Sequence, residues 1–330
     1  MTAADLRWDP LWVPILTHYE EGAGMRLDRA RQAAQIAAIS PHVRQYLIAG
    51  TTGDGWEMSD ETLADWLDFA ATGGALGPGH SILVGAFAGD TAGVIARAQA
   101  IEAAIAKAPL PCRWAGLTIC APVKEGASQE EIADHLRAVI AATTAEIAIY
   151  QLPQVVNCEI APATFAAIAA EAPRVTLFKD TSGGDAVAKA GLGTGGAKLL
   201  RGAEGGYAGH LKPNGAYDGW LLSTANGLAP QLRAVAEHVA AGRSAEAGAL
   251  SDRTAALVEK LFEAAGRLPA GNPFANANRA VDHVLAHGPA APDRPARIAQ
   301  GGHLPDGFIR DVAAMLSAAG IEAGPGYLAV

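Results

Sequence analysis

The chain has 330 residues, half of them apolar, with a formal net charge of −9. That length suits one large α/β barrel domain, and the spread-out acidity, with no basic block, argues against nucleic acid and anionic membrane as partners. No apolar run is long enough to span a bilayer, and residues 1–7 carry no apolar signal core, so a cytoplasmic protein is expected.

Short β-like runs alternate with helical patterns. Residues 12–17 form the first strand candidate. A helix over about residues 28–39 follows, with Ala30, Ala33, Ala34 and Ala37 along one face. Residues 45–49 form the second strand and end in Gly50-Thr51-Thr52-Gly53-Asp54-Gly55. Ser59 with Asp60 and Glu61 opens the next helix as an N-cap followed by carboxylates at the positive end of the dipole. The third strand is 81–86, and Asp90 caps a helix striped by Val94, Ala98, Ile101 and Ile105. The fourth is 115–120, after which Ser128 and Glu131 form a capping box. The fifth is 146–150, and the sixth is Val175-Thr176-Leu177-Phe178-Lys179. Runs at 198–201 and 218–222 supply the last two.

Eight strand–helix units predict a (β/α)8 TIM barrel over residues 1–235 carrying the site, with a C-terminal helical appendage over 236–330. An open doubly wound sheet is the weaker architecture, because no G-x-G-x-x-G opens the first unit. The same absence counts against a dinucleotide-dependent oxidoreductase.

Catalytic groups of such a barrel sit at the C-terminal ends of its strands. Thr51 and Thr52, Tyr150 and Lys179 fall there. A lysine closing an apolar strand loses hydration, its pKa falls, and the neutral amine becomes a nucleophile toward carbonyl carbon. Tyr150 has a phenol able to carry a proton, and adjacent parallel strands would set it beside Lys179. Gly50-Thr51-Thr52-Gly53 can present backbone N–H groups and hydroxyls to a small anion. Cys112, Cys120 and Cys158 form no CxxC and read as reduced thiols, and the nine histidines form no HExxH or HxH cluster, so no metal is expected.

Gly50-Thr51-Thr52-Gly53-Asp54, Tyr150-Gln151-Leu152-Pro153, Phe178-Lys179-Asp180-Thr181-Ser182 and Gly219-Trp220-Leu221-Leu222-Ser223-Thr224-Ala225-Asn226 occur in order at strand ends. Together they resemble the dihydrodipicolinate synthase / N-acetylneuraminate lyase family of class I, pyruvate-handling aldolases, over roughly residues 10–290. The resemblance implies that Lys179 forms an imine with a 2-oxo acid, that Thr51, Thr52 and the flanking Gly50 and Gly53 hold its carboxylate, that Tyr150 moves protons, and that the Leu221 backbone lines the pocket. It implies no separate cofactor, the imine itself being the electron sink, and a homotetramer.

The departures bear on the substrate. The aromatic pair that the family often places after the fourth strand is replaced by Ala121-Pro122-Val123-Lys124, and the arginine that grips the aldehyde's carboxylate in true synthases aligns with Val155 or Val156. That argues against lysine biosynthesis, since an unpaired carboxylate is costly to desolvate. Lys124 is a candidate for the distal end of a longer sugar acid, and Trp56 a candidate pocket wall. The expected activity is a Schiff-base lyase acting on pyruvate or on a 2-oxo-3-deoxy sugar acid or 4-hydroxy-2-oxo acid. A dehydratase of the same substrates and a non-catalytic 2-oxo-acid binding protein are the alternatives.

Overall fold

The computed structural model describes residues 9–22 and 24–329; the N-terminal stretch read for a signal core lies outside them. In chain order the elements are β1 (Leu11–Pro14), α1 (Arg29–Ile39), β2 (Gln45–Ile48), α2 (Asp60–Thr72), β3 (Ser81–Gly85), α3 (Thr91–Lys107), β4 (Arg113–Cys120), α4 (Gln129–Ala141), β5 (Ile147–Gln151), α5 (Pro153–Val156), α6 (Pro162–Glu171), β6 (Val175–Asp180), α7 (Ala186–Ala190), β7 (Lys198–Arg201), α8 (Tyr207–His210), β8 (Gly219–Leu221), α9 (Ala225–Ala240), α10 (Ser244–Ala265), α11 (Pro273–His287) and α12 (Asp306–Ala318). Each strand pairs in parallel with the next, and β8 closes on β1 through Leu11 opposite Trp220, which makes the expected (β/α)8 barrel. No helix of the described residues is long and apolar enough to cross a membrane.

One side chain from each strand fills the barrel axis: Trp12, Leu47, Leu83, Ala115, Ala148, Leu177, Leu200 and Leu221. The bulk of Trp12 is accommodated by alanines on β4 and β5, which keeps the layer dense. Strand side chains alternate, so this layer sets the direction of everything beyond it. Ala148 pairs with Leu177, and two residues further on Tyr150 pairs with Lys179. Both therefore point into the barrel mouth.

The helix caps follow the sequence. Ser59, Asp90 and Ser128 each accept a backbone N–H of the first turn, and Ser128 with Glu131 closes a full capping box. The alanine face expected for α1 is a correction: Ala30 and Ala37 are exposed, and the buried positions are Gln32, Gln35, Ile36 and Ile39. Alanine gains too little on burial to orient a helix. The glutamines go inside because each finds partners. Gln32 accepts from the His18 backbone, and Gln35 bonds the His18 ring and donates to Asn226. Asn226 in turn accepts from Leu16 N–H and donates to the Pro14 carbonyl, stitching α9 to the end of β1.

The C-terminal helices have an apolar core of their own, with Leu257, Leu261, Val281, Val284, Phe308 and Val312 among its members. Gly227 of α9 allows α11 to approach, since a Cβ there would lie 2.3 Å from Val281. The seam with the barrel is polar. Arg279 of α11 donates to Asp54 at 2.7 Å and to the Thr17 carbonyl at 2.8 Å, while Tyr19 donates to the same Asp54 oxygen at 2.8 Å. Arg31 pairs with Asp282, which also accepts from Tyr327. Arg279 and Asp54 are both buried. Breaking a buried pair from one side leaves a charge without compensation. Arg279→Met should therefore cost about 3–5 kcal/mol in urea unfolding; a loss under about 1 kcal/mol, the range of an exposed pair, would show that this contact does not anchor α11.

Candidate active site

The mouth of the barrel opens into a cavity of about 460 Å³. Its floor comes from strand ends and the turns after them: Thr51, Thr52, Tyr150, Lys179, Gly202 and Leu221 all line it. Lys179 is 4% exposed, and its ammonium lies 4.0 Å from the centre of the Tyr150 ring. Burial lowers its pKa to about 7. Cys120 and Glu204 oppose that shift, but burial pushes the Cys120 thiol well above its usual range, so Cys120 supplies no counter-charge at neutral pH. Gly202 is bare for a steric reason: a Cβ there would sit 2.7 Å from Lys179 Cε and 2.5 Å from Thr181 Cγ2.

Tyr150 is held above the usual phenol range by burial, with hydrogen bonding to Thr51 and Thr181 pulling the other way. It therefore stays protonated at neutral pH and can donate first. Thr51 is itself fixed by Trp56, whose Nε1–H donates to Thr51 Oγ1 at 3.3 Å. The polar chain running outward from the phenol thus meets an indole N–H, which donates only.

The turn that carries Thr51 and Thr52 is a 3-10 turn over Thr51–Gly53, and its opening amides have no carbonyl within the turn to bond. It is reached through Ala49, whose φ of 51° is unusual for a side chain with a Cβ. That bend turns the Ala49 carbonyl toward Gly55 and Gly85, where an added Cβ would come within 1.8 and 2.2 Å of it. Both positions are glycine because nothing larger fits. Asp54, with φ of 60°, closes the turn and binds Arg279. Strain of this kind persists where surrounding contacts enforce it.

Several expectations need correction. Lys124 does not reach the cavity: its side chain is more than half exposed and pairs with Glu131, a partner supplied one turn into α4. Trp56 is not a wall. It stacks on Phe87 with ring centres 4.9 Å apart, behind Thr51. Gly50 and Gly53 also lie behind the lining. A Cβ at Gly53 would meet the Ile15 carbonyl at 2.4 Å, so this residue lets the turn pack against the barrel rather than touching a ligand. Of the two valines, Val155 lines the cavity and Val156 is buried in the core.

The structure adds residues that the motifs did not single out. Thr181, two positions past Lys179, reaches the Tyr150 phenol. Glu204 accepts from Tyr207, Ser223 and both the backbone and hydroxyl of Thr224. The far wall is built by Phe262 of α10 and by Asn272, Pro273 and Phe274 at the start of α11, so the C-terminal helices take part in the cavity. The one sequence signal for this wall is the apolar Pro273-Phe274 pair following the Asn272 N-cap.

The pattern of a family described as the dihydrodipicolinate synthetase family matches residues 12–273. The chain is 29% identical over 226 residues to a 4-hydroxy-tetrahydrodipicolinate synthase of Synechococcus sp. (strain CC9605), covering 68% of this chain and 70% of that one. It is 29% identical over 171 residues to the enzyme of the same name from Corynebacterium diphtheriae, covering 52% and 53%. Among solved structures, KD(P)GA from T. tenax superposes with a TM-score of 0.72 at 19% identity, over 94% of this chain and 99% of that one. YagE, a prophage protein from E. coli K12 solved in complex with pyruvate, superposes with a TM-score of 0.73 at 16% identity, over 95% and 99%. Since the family pattern runs unbroken from the first barrel strand to the opening of α11, the chain belongs to the dihydrodipicolinate synthetase family.

Proposed function

We propose that this protein is a class I aldolase that forms a Schiff base between Lys179 and the keto carbon of pyruvate or another 2-oxo acid. The observation that carries the proposal is the placement of Lys179. It is buried, its pKa is brought to about 7, and it stands over a protonated phenol at the floor of a closed-ended cavity. Near half the amine is then neutral at pH 7 and can attack a carbonyl. The solved complex of YagE with pyruvate is in keeping with a 2-oxo acid as donor.

The steps use the groups already placed. The amine adds to C2, and Tyr150 gives its proton to the departing hydroxyl, so that water leaves and an iminium forms. The resulting phenolate, set beside the positive imine, takes a proton from C3 and leaves an enamine. The enamine adds to an aldehyde to make the C3–C4 bond, or the same sequence runs backward from a 4-hydroxy-2-oxo acid. The Thr51 and Thr52 amides hold the carboxylate of the donor. Loss of the C4 hydroxyl from the same enamine would make the enzyme a dehydratase, and product analysis separates the two.

Incubation with pyruvate followed by borohydride should add mass at Lys179, and Lys179→Ala should abolish the adduct. The rate of trapping should climb with pH and level off above an apparent pKa of about 7, because the neutral amine is the reactive form; a rate still climbing beyond pH 9 would show an ordinary lysine. Tyr150→Phe should keep the fold by circular dichroism yet slow adduct formation by about 10²–10⁴-fold, the usual contribution of a placed acid–base group. A change of under threefold would remove Tyr150 from the proton path.

A further inference from the structure

We infer that the aldehyde partner is uncharged and apolar, with an aromatic ring as the best fit, rather than a sugar or an aldehyde bearing a second acid group. The inference rests on the donor reading given above and concerns the other half of the cavity. The whole cavity, at about 460 Å³, is a small-molecule site with room beyond the donor.

The outer wall is apolar: Leu152, Val155, Phe262, Pro273 and Phe274. Phe262 and Phe274 meet edge to face with centres 4.9 Å apart, and Phe274 is 47% exposed at the mouth. A half-exposed aromatic beside a cavity offers a face that an apolar group can cover.

Charge points the same way. Lys179 is the only cation among the lining residues, and the enamine that meets the aldehyde is neutral at that nitrogen. The one lining carboxylate is Glu204. A distal carboxylate or phosphate would find no counter-charge and would lie in the field of Glu204, an unfavourable placement once desolvated.

A sugar chain gains less than the polar lining suggests, because four of its side chains already hold bonds within the protein. Thr181 donates to the Gln151 carbonyl at 2.7 Å, and Gln154 donates to the Thr181 carbonyl at 2.8 Å. Ser223 donates to Glu204 at 2.9 Å, and Asn272 Oδ1 caps α11 by accepting from Phe274 and Ala275 N–H. Each sugar hydroxyl buried without a partner costs about 1–3 kcal/mol.

The reaction balances without a further reagent. Enamine C3 forms the new bond to the aldehyde carbon, the carbonyl oxygen takes the Tyr150 proton to become the C4 hydroxyl, and water hydrolyses the iminium that results, releasing a 4-hydroxy-2-oxo acid, restoring the Lys179 amine and returning a proton to the Tyr150 phenolate.

The test compares benzaldehyde, glyceraldehyde and succinic semialdehyde with pyruvate in the full-length enzyme, following aldol product by mass spectrometry. Borohydride trapping with pyruvate alone is run first, since it needs no aldehyde. If the adduct forms, kcat/KM for benzaldehyde should exceed that for either polar aldehyde by at least about tenfold, the scale on which apolar pockets discriminate. Phe274→Ala should raise KM for benzaldehyde about fivefold more than KM for pyruvate. An adduct without benzaldehyde turnover, or with either polar aldehyde preferred, overturns the inference while leaving the donor reading in place. Absence of the adduct overturns the donor reading and this one with it.

Discussion

A primary amine kept among apolar neighbours is a costly placement, and the surrounding structure enforces it. Lys179 falls from an ordinary 10.5 to about 7 because burial disfavours its charged form. The unfolded chain therefore holds a proton that the folded one releases between pH 7 and 10.5. Stability rises with pH across that window, and below about pH 7 folding bears the whole penalty, on the order of 5 kcal/mol at 1.36 kcal/mol per unit. Glu204 offsets only part of it. The nearest aromatic face, Tyr150, attracts a cation only modestly, and Cys120 is a neutral thiol. The cost is met by the closed barrel as a whole, which has too many other contacts to yield at this point.

The same logic applies to the turn after β2. Ala49 in a left-handed conformation and Asp54 in another are both unfavourable taken alone. They persist because Gly55 and Gly85 leave room for the Ala49 carbonyl, and because Arg279 reaches from α11 to close on Asp54. A helix some 225 positions away in sequence thus fixes the amides of Thr51 and Thr52. The C-terminal helices are part of the device that holds the turn and, through Phe262 and Phe274, part of the cavity wall.

The parts of the molecule that were legible in the sequence are those set by local rules. Strands follow from short apolar runs, caps from N-cap chemistry, the neighbouring of Tyr150 and Lys179 from adjacent parallel strands, and the barrel from the repetition of these units. Lys124 was misplaced because position after a strand says nothing about which way a long flexible side chain turns; Glu131, one turn into α4, decided it. Trp56 stands close to the site in sequence yet behind Thr51 in space, since its best packing partner is Phe87. The glutamine face of α1 was hidden because burying an amide pays off only if distant partners such as His18 and Asn226 are waiting. The far wall was hidden for the same reason: it is made by the docking of α10 and α11, which depends on contacts between segments widely separated in the chain.

This division bears on how the site is specified. The inner half of the cavity is built from strand ends, where the barrel dictates geometry to within a side chain's alternation. The outer half of the cavity is built from Leu152 and Val155 just beyond β5, from the turn after β7, and from the first residues of α11. Those segments are connections and helix starts, which can change side chains without disturbing the closed sheet. A barrel can therefore keep its overall shape at 16–19% identity to its structural neighbours while the outer wall is rewritten. In this chain that wall carries phenyl and isopropyl surface from Phe262, Phe274 and Val155. An acid-bearing aldehyde can be drawn to its site by long-range attraction. An apolar one must be held by desolvation alone, and desolvation acts only where the wall can close over it. Here the apolar face at the mouth is Phe274, held there by the Asn272 cap and by the edge of Phe262.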